Sequence, residues 1–105
     1  MKELSIVNLK KLIENKQIIW RSHMLLRMQQ RGIKIENVLE CISHGEIIEH
    51  YYDDYPFPSC LILGYFDTQQ YLHVVCAVGQ NRIWMITAYF PDAKEWNEDL
   101  KTRRK

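Results

Sequence analysis

The stretch YLHVVCAVGQNRIWMITAYF, residues 71–90, decides the fold, because it reads as two strands joined by a short turn. β-Branched and aromatic residues fill both halves, and these residue types favour strands. The Gly-Gln-Asn segment at 79–81 separates the halves at hairpin length, which predicts antiparallel pairing. A turn made of these three residues pairs Val78 with Arg82.

This pairing gives the hairpin two faces of different character. Counting back from the turn sets His73 opposite Thr87, with Tyr89 as a diagonal neighbour on the same face. The other face is more apolar, and we expect helices to cover it. Its members are Leu72, Val74, Cys76 and Val78 beside Trp84, Ile86, Ala88 and Phe90.

Two more strands are predicted before the hairpin. The segments EIIEHYY (46–52) and SCLILGYF (59–66) are rich in β-branched and aromatic residues, and the turn-forming sequence DDYPFP separates them. The linker DTQQ (67–70) is again of hairpin length. The sequence therefore predicts a four-stranded antiparallel meander after Gly45.

Apolar residues at helical spacing dominate the part of the chain before Gly45. The predicted helices span Ser5–Lys16, Ser22–Arg31 and Ile35–Ser43, with Ser5 and Ser22 as N-caps and Gly32 as a stop signal. A further short helix is expected around Trp96–Thr102. The prediction is one α+β domain, residues 1–105, in which three N-terminal helices precede the meander.

Composition places the chain among soluble globular proteins, with 47% apolar and 26% charged residues. The net charge is only +1, so nucleic-acid binding requires a local cluster of cations. No apolar run approaches the ~18–20 residues that span a bilayer, and the N-terminus lacks a signal-peptide core. Cys41, Cys60 and Cys76 lack metal-ligand spacing and are typical of buried thiols. We therefore predict a cytoplasmic protein without membrane contact, metal or cofactor.

One such local cluster is a cationic stripe on the second predicted helix. His23, Arg27 and Arg31 follow one another at intervals of four, so they share one face, which borders the apolar Met24 and Met28. Arginine is always charged and binds phosphate oxygens bidentately, which suits RNA. The alternative is that the arginine stems cover apolar surface while their heads pair with carboxylates.

His73 and Tyr89 add proton-transfer chemistry, because histidine titrates near neutral pH. A histidine within a strand is also a common structural residue. We predict that metal-independent RNA cleavage uses His23, Arg27, Arg31, His73 and Tyr89. The predicted nucleic-acid contacts are Arg27, Arg31, Arg103 and Arg104, the last two from the basic tail KTRRK.

Several short motifs follow one another along residues 20 to 96: a histidine, RxxxRGI, GxIIExY, PxPS, LHVV and TxYxPDxxxW. In this order they resemble the bacterial family filed as domain of unknown function 4258. Lys34 departs from that pattern, which often has serine there; this change concerns only a helix cap. The matching residues are His23, Arg27, Arg31, Gly32, Ile33, Gly45, Ile47, Ile48, Glu49, Tyr51, Pro56, Pro58, Ser59, Leu72, His73, Val74, Val75, Thr87, Tyr89, Pro91, Asp92 and Trp96.

The resemblance implies a branch of the RelE/BrnT-like toxin fold, whose members include small metal-independent ribonucleases. It also implies a cognate antitoxin as partner, since such genes often lie beside zinc-finger antitoxins of the MqsA type. Two other function classes stay open, because one fold hosts several functions. They are a catalytically inactive module that binds a partner, and a module that binds RNA without cutting it.

The first predicted strand supplies the expected protein-binding edge, because a meander leaves its outer strands unpaired. Tyr51 and Tyr52, with Tyr55 and Phe57 after them, offer aromatic anchors for a partner. We expect either an antitoxin segment or a second copy of the chain, forming a homodimer, to pair there. The same aromatic residues would otherwise pack beneath the proline-containing loop.

Overall fold

The computed structural model describes residues 4–67 and 70–105 and has α+β architecture. Its five-stranded mixed sheet has the order β1-β5-β4-β3-β2, so β1 and β2 form its edges. Neighbouring strands are antiparallel except β1 and β5, which are parallel. The elements are α1 (Ile6–Glu14), β1 (Ile18–Trp20), α2 (Ser22–Arg31), α3 (Ile35–Ser43), β2 (Glu46–Tyr51), β3 (Ser59–Phe66), β4 (Gln70–Gly79) and β5 (Arg82–Tyr89).

The prediction of three helices followed by a four-stranded antiparallel meander is wrong, because β1 lies between α1 and α2. β1 pairs in parallel with β5, with Ile18 opposite Ile83 and Trp20 opposite Met85. Three residues are too few for a recognisable strand period, and a parallel partner more than sixty residues away leaves no local signal. The helices are therefore interspersed with strands.

The three predicted helices are confirmed, with differences at their ends. Ser5 caps α1 as predicted, since its hydroxyl accepts the backbone N–H of Asn8 at 3.1 Å. Ser22 is the first residue of α2 rather than its cap; Arg21 holds that position without a side-chain hydrogen bond. Gly32 ends α2 in the left-handed conformation, with φ of 72°, which glycine adopts without strain.

The hairpin of β4 and β5 forms as predicted, but its register differs from the prediction. The turn has two residues, Gln80 and Asn81, both with positive φ, so Gly79 pairs with Arg82. Ile86 is an extra residue in β5, because Val75 pairs with Thr87 while Cys76 pairs with Met85. Together these two shifts set His73 opposite Tyr89.

The two-residue turn and the bulge together change which β5 residues enter the core beneath the helices. Ile83, Met85 and Ala88 belong to it, so the prediction that Trp84 and Ile86 would do so is wrong. The predicted β4 members of this core are confirmed: Leu72, Val74, Cys76 and Val78. Thr68 and Gln69 of the predicted DTQQ linker lie outside the described residues.

The opposite sheet face is covered by the C-terminal strap, which we define as residues 92–105. The predicted helix at Trp96–Thr102 is absent, and the strap is a series of turns. One cause is Asp99, whose carboxylate accepts the backbone N–H groups of Lys101 and Thr102 and so competes with helical bonding. Trp96 is only 1% exposed, which anchors the strap to the sheet.

Candidate functional site

His73 lies beneath the strap and is fully buried. Its Nε2 lies 2.8 Å from the carbonyl oxygen of Leu100, which only accepts, so Nε2–H is the donor. In the neutral ring Nδ1 is then an acceptor, and the hydroxyl of Tyr89 donates to it at 3.3 Å. The ring also meets Trp96 edge to face, with centroids 4.4 Å apart.

This environment keeps the His73 ring neutral, and the hydrogen bond to Leu100 gives the ring a structural role. Burial lowers the pKa of His73, because the charged ring is poorly solvated there. The bond to Leu100 attaches the strap to β4 at a residue whose φ is 61°. Replacing His73 would therefore disturb the strap as well as any chemistry at Tyr89.

Tyr89 connects the buried histidine to the surface. It ends β5, and its side chain is half-buried. Burial raises the pKa of Tyr89, and the positive charges of Arg103 and Arg31 oppose that rise. A phenol whose pKa is raised suits proton donation better than proton removal.

Arg31, the last residue of α2, bonds to the end of β5 beside Tyr89. Its Nη1 donates to the carbonyl of Ala88 at 2.8 Å and lies 3.5 Å from the hydroxyl of Thr87. β1 pairs with β5 only as far as Met85, so the edge beyond it is open to Arg31. Among the described residues the other guanidinium N–H groups of Arg31 have no hydrogen-bond acceptor, so they are available for an anion. We call Arg31, His73, Thr87 and Tyr89 the Tyr89 cluster.

His23 and Arg27 extend the cation row along α2 without joining the Tyr89 cluster. Both are exposed, and within residues 4–67 and 70–105 neither makes a hydrogen bond or ion pair. The eight residues from His23 to Arg31 correspond to about 12 Å along the helix axis. That span matches successive groups on an extended ligand better than one reacting atom. We call His23, Arg27 and Arg31 the α2 stripe.

The two arginines predicted to bind RNA from the tail have protein partners. Arg103 forms a two-pronged ion pair with Glu49, with both N···O distances 3.0 Å, and lies 4.6 Å from the ring centre of Trp96. This guanidinium lowers the pKa of Glu49, which also accepts the hydroxyl of Tyr51. Arg104 donates from Nε to the carbonyl of Ala93 at 2.6 Å. These arginines hold the strap in place.

Sequence reasoning assigned no role to Glu49 and Trp96, although both contact the strap or belong to it. Each stands in a recognised motif, GxIIExY and TxYxPDxxxW respectively, and those motifs were the available signal. The contact between them runs through Arg103, which lies more than fifty residues from Glu49 in sequence. Sequence spacing alone does not indicate such a pair.

Comparison with protein families gives one match. The family model described as domain of unknown function, DUF4258, matches residues 20–90. The chain belongs to the DUF4258 family. The matched region contains the whole α2 stripe and the whole Tyr89 cluster, while the whole strap lies beyond it. Neither a curated protein nor a solved structure matches the chain.

The described residues offer neither a metal-binding cluster nor a membrane-spanning helix. Within the described residues, 4–67 and 70–105, no group of three or more His, Cys, Asp or Glu side chains could hold a metal ion. Among the same residues no helix has both the length and the apolar character needed to cross a bilayer.

Proposed function

We propose that this DUF4258 protein is the RNA-cleaving toxin of a type II toxin–antitoxin pair and works without a metal ion. The supporting observation is that Arg31 bonds to Ala88 and lies 3.5 Å from the hydroxyl of Thr87, beside Tyr89, whose own hydroxyl pairs with His73. These residues come from two separate segments and combine a permanent cation with a proton carrier. Membership of the RelE/BrnT-like toxin superfamily is part of this proposal and rests on the motif resemblance.

The chemistry is attack of a ribose 2′-hydroxyl on the adjacent phosphate, with departure of the 5′-oxygen. Arg31 neutralises the charge that builds on the phosphate oxygens. On substrate binding the Tyr89 O–H turns from His73 Nδ1 to the leaving oxygen and donates its proton there, and water then reprotonates the phenolate. Glu95, whose charge raises the pKa of Tyr89, is the candidate base. In the described part of the chain its carboxylate has no hydrogen bond or ion pair.

The α2 stripe provides the path for the rest of the RNA. We expect Arg27 and His23 to contact phosphates beyond the one that reacts, because they lie up to about 12 Å along α2 from Arg31. α2 contains no acidic residue, so no charge on this helix opposes an anionic backbone. A role for Arg103 and Arg104 in RNA binding would require release from Glu49 and Ala93.

One observation favours a second candidate function, RNA binding without cleavage. Both nitrogens of His73 are occupied, and the ring has no exposed surface, so it cannot reach a substrate directly. A module that only binds RNA would still use the α2 stripe, and its affinity for RNA would not change if Tyr89 lacked its hydroxyl. That difference separates the two functions.

Expression in bacteria tests the proposal with variants that leave the fold intact. The wild type should arrest growth and fragment cellular RNA, and Tyr89→Phe should restore growth by removing the proton donor. Arg27→Ala should also weaken toxicity, since Arg27 is exposed and makes no hydrogen bond or ion pair with any described residue. Arg82→Ala, which removes an exposed arginine at the hairpin tip, is the matched control. Equal toxicity of Tyr89→Phe and the wild type would favour binding alone.

The proposed protein partners are an antitoxin, with the MqsA-type zinc-finger protein as the expected kind, and a second copy of the chain. Among the described strands β2 pairs only with β3, so its other edge is open. Of the four predicted anchors, Tyr51 bonds to Glu49 and Phe57 packs against Trp84. Tyr52 and Tyr55 are 52% and 95% exposed and remain the anchors of this proposal.

A further inference from the structure

A shallow depression of about 190 Å³ lies on the strap side of the sheet, outside the Tyr89 cluster. Tyr65 and Tyr71 are directly opposite each other on β3 and β4, with ring centroids 6.0 Å apart. His44 stacks on Tyr65 at 4.8 Å with nearly parallel rings. The depression therefore has an aromatic floor, and the other lining residues are Glu46, Leu63, Gly64 and Lys101.

The aromatic floor is partly open to solvent. Tyr71 is 45% exposed, which leaves ring surface free beyond its edge contact with Tyr65. Stacking on an exposed aromatic ring is the main way in which proteins hold unpaired bases. The depression is smaller than the ~300 Å³ at which pockets for drug-sized ligands begin, so it suits one flat ring system.

Two opposite charges stand at the rim of the depression. Lys101 Nζ lies 2.8 Å from Glu46 Oε1, and both side chains are about half exposed. Within the described residues nothing else bonds to this carboxylate, so its second oxygen is available. A carboxylate with a free oxygen accepts N–H donors from the edge of a base, and an ammonium group attracts the phosphate attached to it.

We propose that this depression binds one unpaired guanine base of the RNA. The base stacks on Tyr71, and its N1–H and exocyclic amine donate to Glu46. Among the four RNA bases, guanine presents two adjacent donors on that edge, which match a carboxylate. Lys101 contacts the phosphate of the same nucleotide.

This inference rests on the proposed RNA substrate and deepens it by naming a base preference. Tyr71 precedes His73 by two residues on β4, so the two lie on one face about 7 Å apart. A guanine on Tyr71 would thus lie next to the nucleotide whose phosphate reaches Tyr89. The preferred cleavage position would be set by the neighbouring guanine.

Binding of short 2′-O-methyl oligonucleotides tests the subsite without cleavage, because they lack the attacking hydroxyl. Fluorescence anisotropy at fixed salt would compare four pentamers that differ at one position only, where the base is G, A, C or U. The wild type should bind the G pentamer most tightly. Tyr71→Ala should weaken that binding by about 5- to 150-fold, the usual effect of losing one stacked base, and Tyr71→Phe should restore it.

Two further variants separate stacking from edge recognition. Glu46→Gln should abolish the preference for G while leaving binding of the other pentamers unchanged. Val7→Ala, which shortens a 69% exposed apolar side chain on α1, is the control and should leave oligonucleotide binding unchanged. Equal affinity of the wild type for all four pentamers would overturn the inference, as would equal effects of Tyr71→Ala and Val7→Ala.

The ribonuclease proposal and the guanine subsite can be refuted independently of each other. If the G pentamer is preferred through Tyr71 but natural RNA stays intact, the subsite stands and cleavage is refuted. If natural RNA is cut by the wild type and by Tyr71→Ala at the same positions, cleavage stands and the guanine subsite is refuted.

Discussion

Mild acid should destabilise the protein through His73. The buried ring is neutral when folded, and burial lowers its pKa below the unfolded value of 6.5. The unfolded chain therefore binds more protons in the window below pH 6.5. The contribution of the neutral ring is complete above that pH and is lost as pH falls towards the folded pKa. The charges that act on the ring, Glu49 and Arg103, oppose each other.

The size of the effect follows from protonation of the unfolded chain. At pH 5.5, one unit below 6.5, protonation of the unfolded chain lowers the unfolding free energy by at most about 1.4 kcal/mol, the limit in which the folded ring takes up no proton. Glu49 does not contribute to this loss, because Arg103 lowers the pKa of Glu49 from 4.5, a value that already lies below the window. Acid effects of Glu49 should therefore begin at lower pH.

Urea unfolding, followed by tryptophan fluorescence between pH 7.5 and 5.5, measures this loss. The wild type should lose up to about 1.4 kcal/mol, and His73→Gln, although less stable overall, should lose much less over the same range. His50→Gln, which replaces an exposed histidine, should retain the wild-type slope. A wild-type free energy that is flat over this window, or a His73→Gln slope equal to the wild type's, would refute the reasoning.

Three further predictions concern the strap, the sheet and the open edge. Trp96→Ala should cost about 3–5 kcal/mol of unfolding free energy, against almost nothing for Tyr55→Ala, in the same urea assay. Gly64→Ala should lower the melting temperature sharply, because its Cβ would lie 2.0 Å from the backbone oxygen of Cys41; an unchanged value would contradict the packing. Tyr52→Asp should abolish any concentration-dependent self-association seen by light scattering, and a wild type that stays monomeric would exclude the second copy as partner.

The helices and the longer strands could be predicted from the sequence because their signals are local. Ile35–Ser43 has apolar residues at helical spacing, and Gly32 supplies the left-handed stop that ends α2. β4 and β5 were recognised from their composition, and their adjacency is confirmed. In each case the residues that predict the element are close to one another in sequence.

The parts that could not be predicted depend on distant or subtle contacts. Ile18–Trp20 becomes a strand only because β5 offers it an edge. The extra residue Ile86 leaves no mark in a run of apolar residues, although it brings Ala88 opposite Val74 in the core. The burial of His73 depends on a strap that folds back through Arg103 and Trp96. The residue types at the site were thus predictable, but their accessibility was not.

The central claim is that RNA is cleaved at the Tyr89 cluster through attack by a 2′-hydroxyl. Its most direct test is incubation of the purified chain with RNA in a chelator, with and without ribosomes, beside a 2′-O-methyl copy of the same RNA. The account predicts cleavage of the natural RNA to ends that carry a 2′,3′-cyclic or 3′-phosphate. Tyr89→Phe should be slower by about 10²- to 10⁴-fold, and the 2′-O-methyl copy should stay intact. Natural RNA that remains intact under both conditions, or cleavage of the 2′-O-methyl copy, would contradict it.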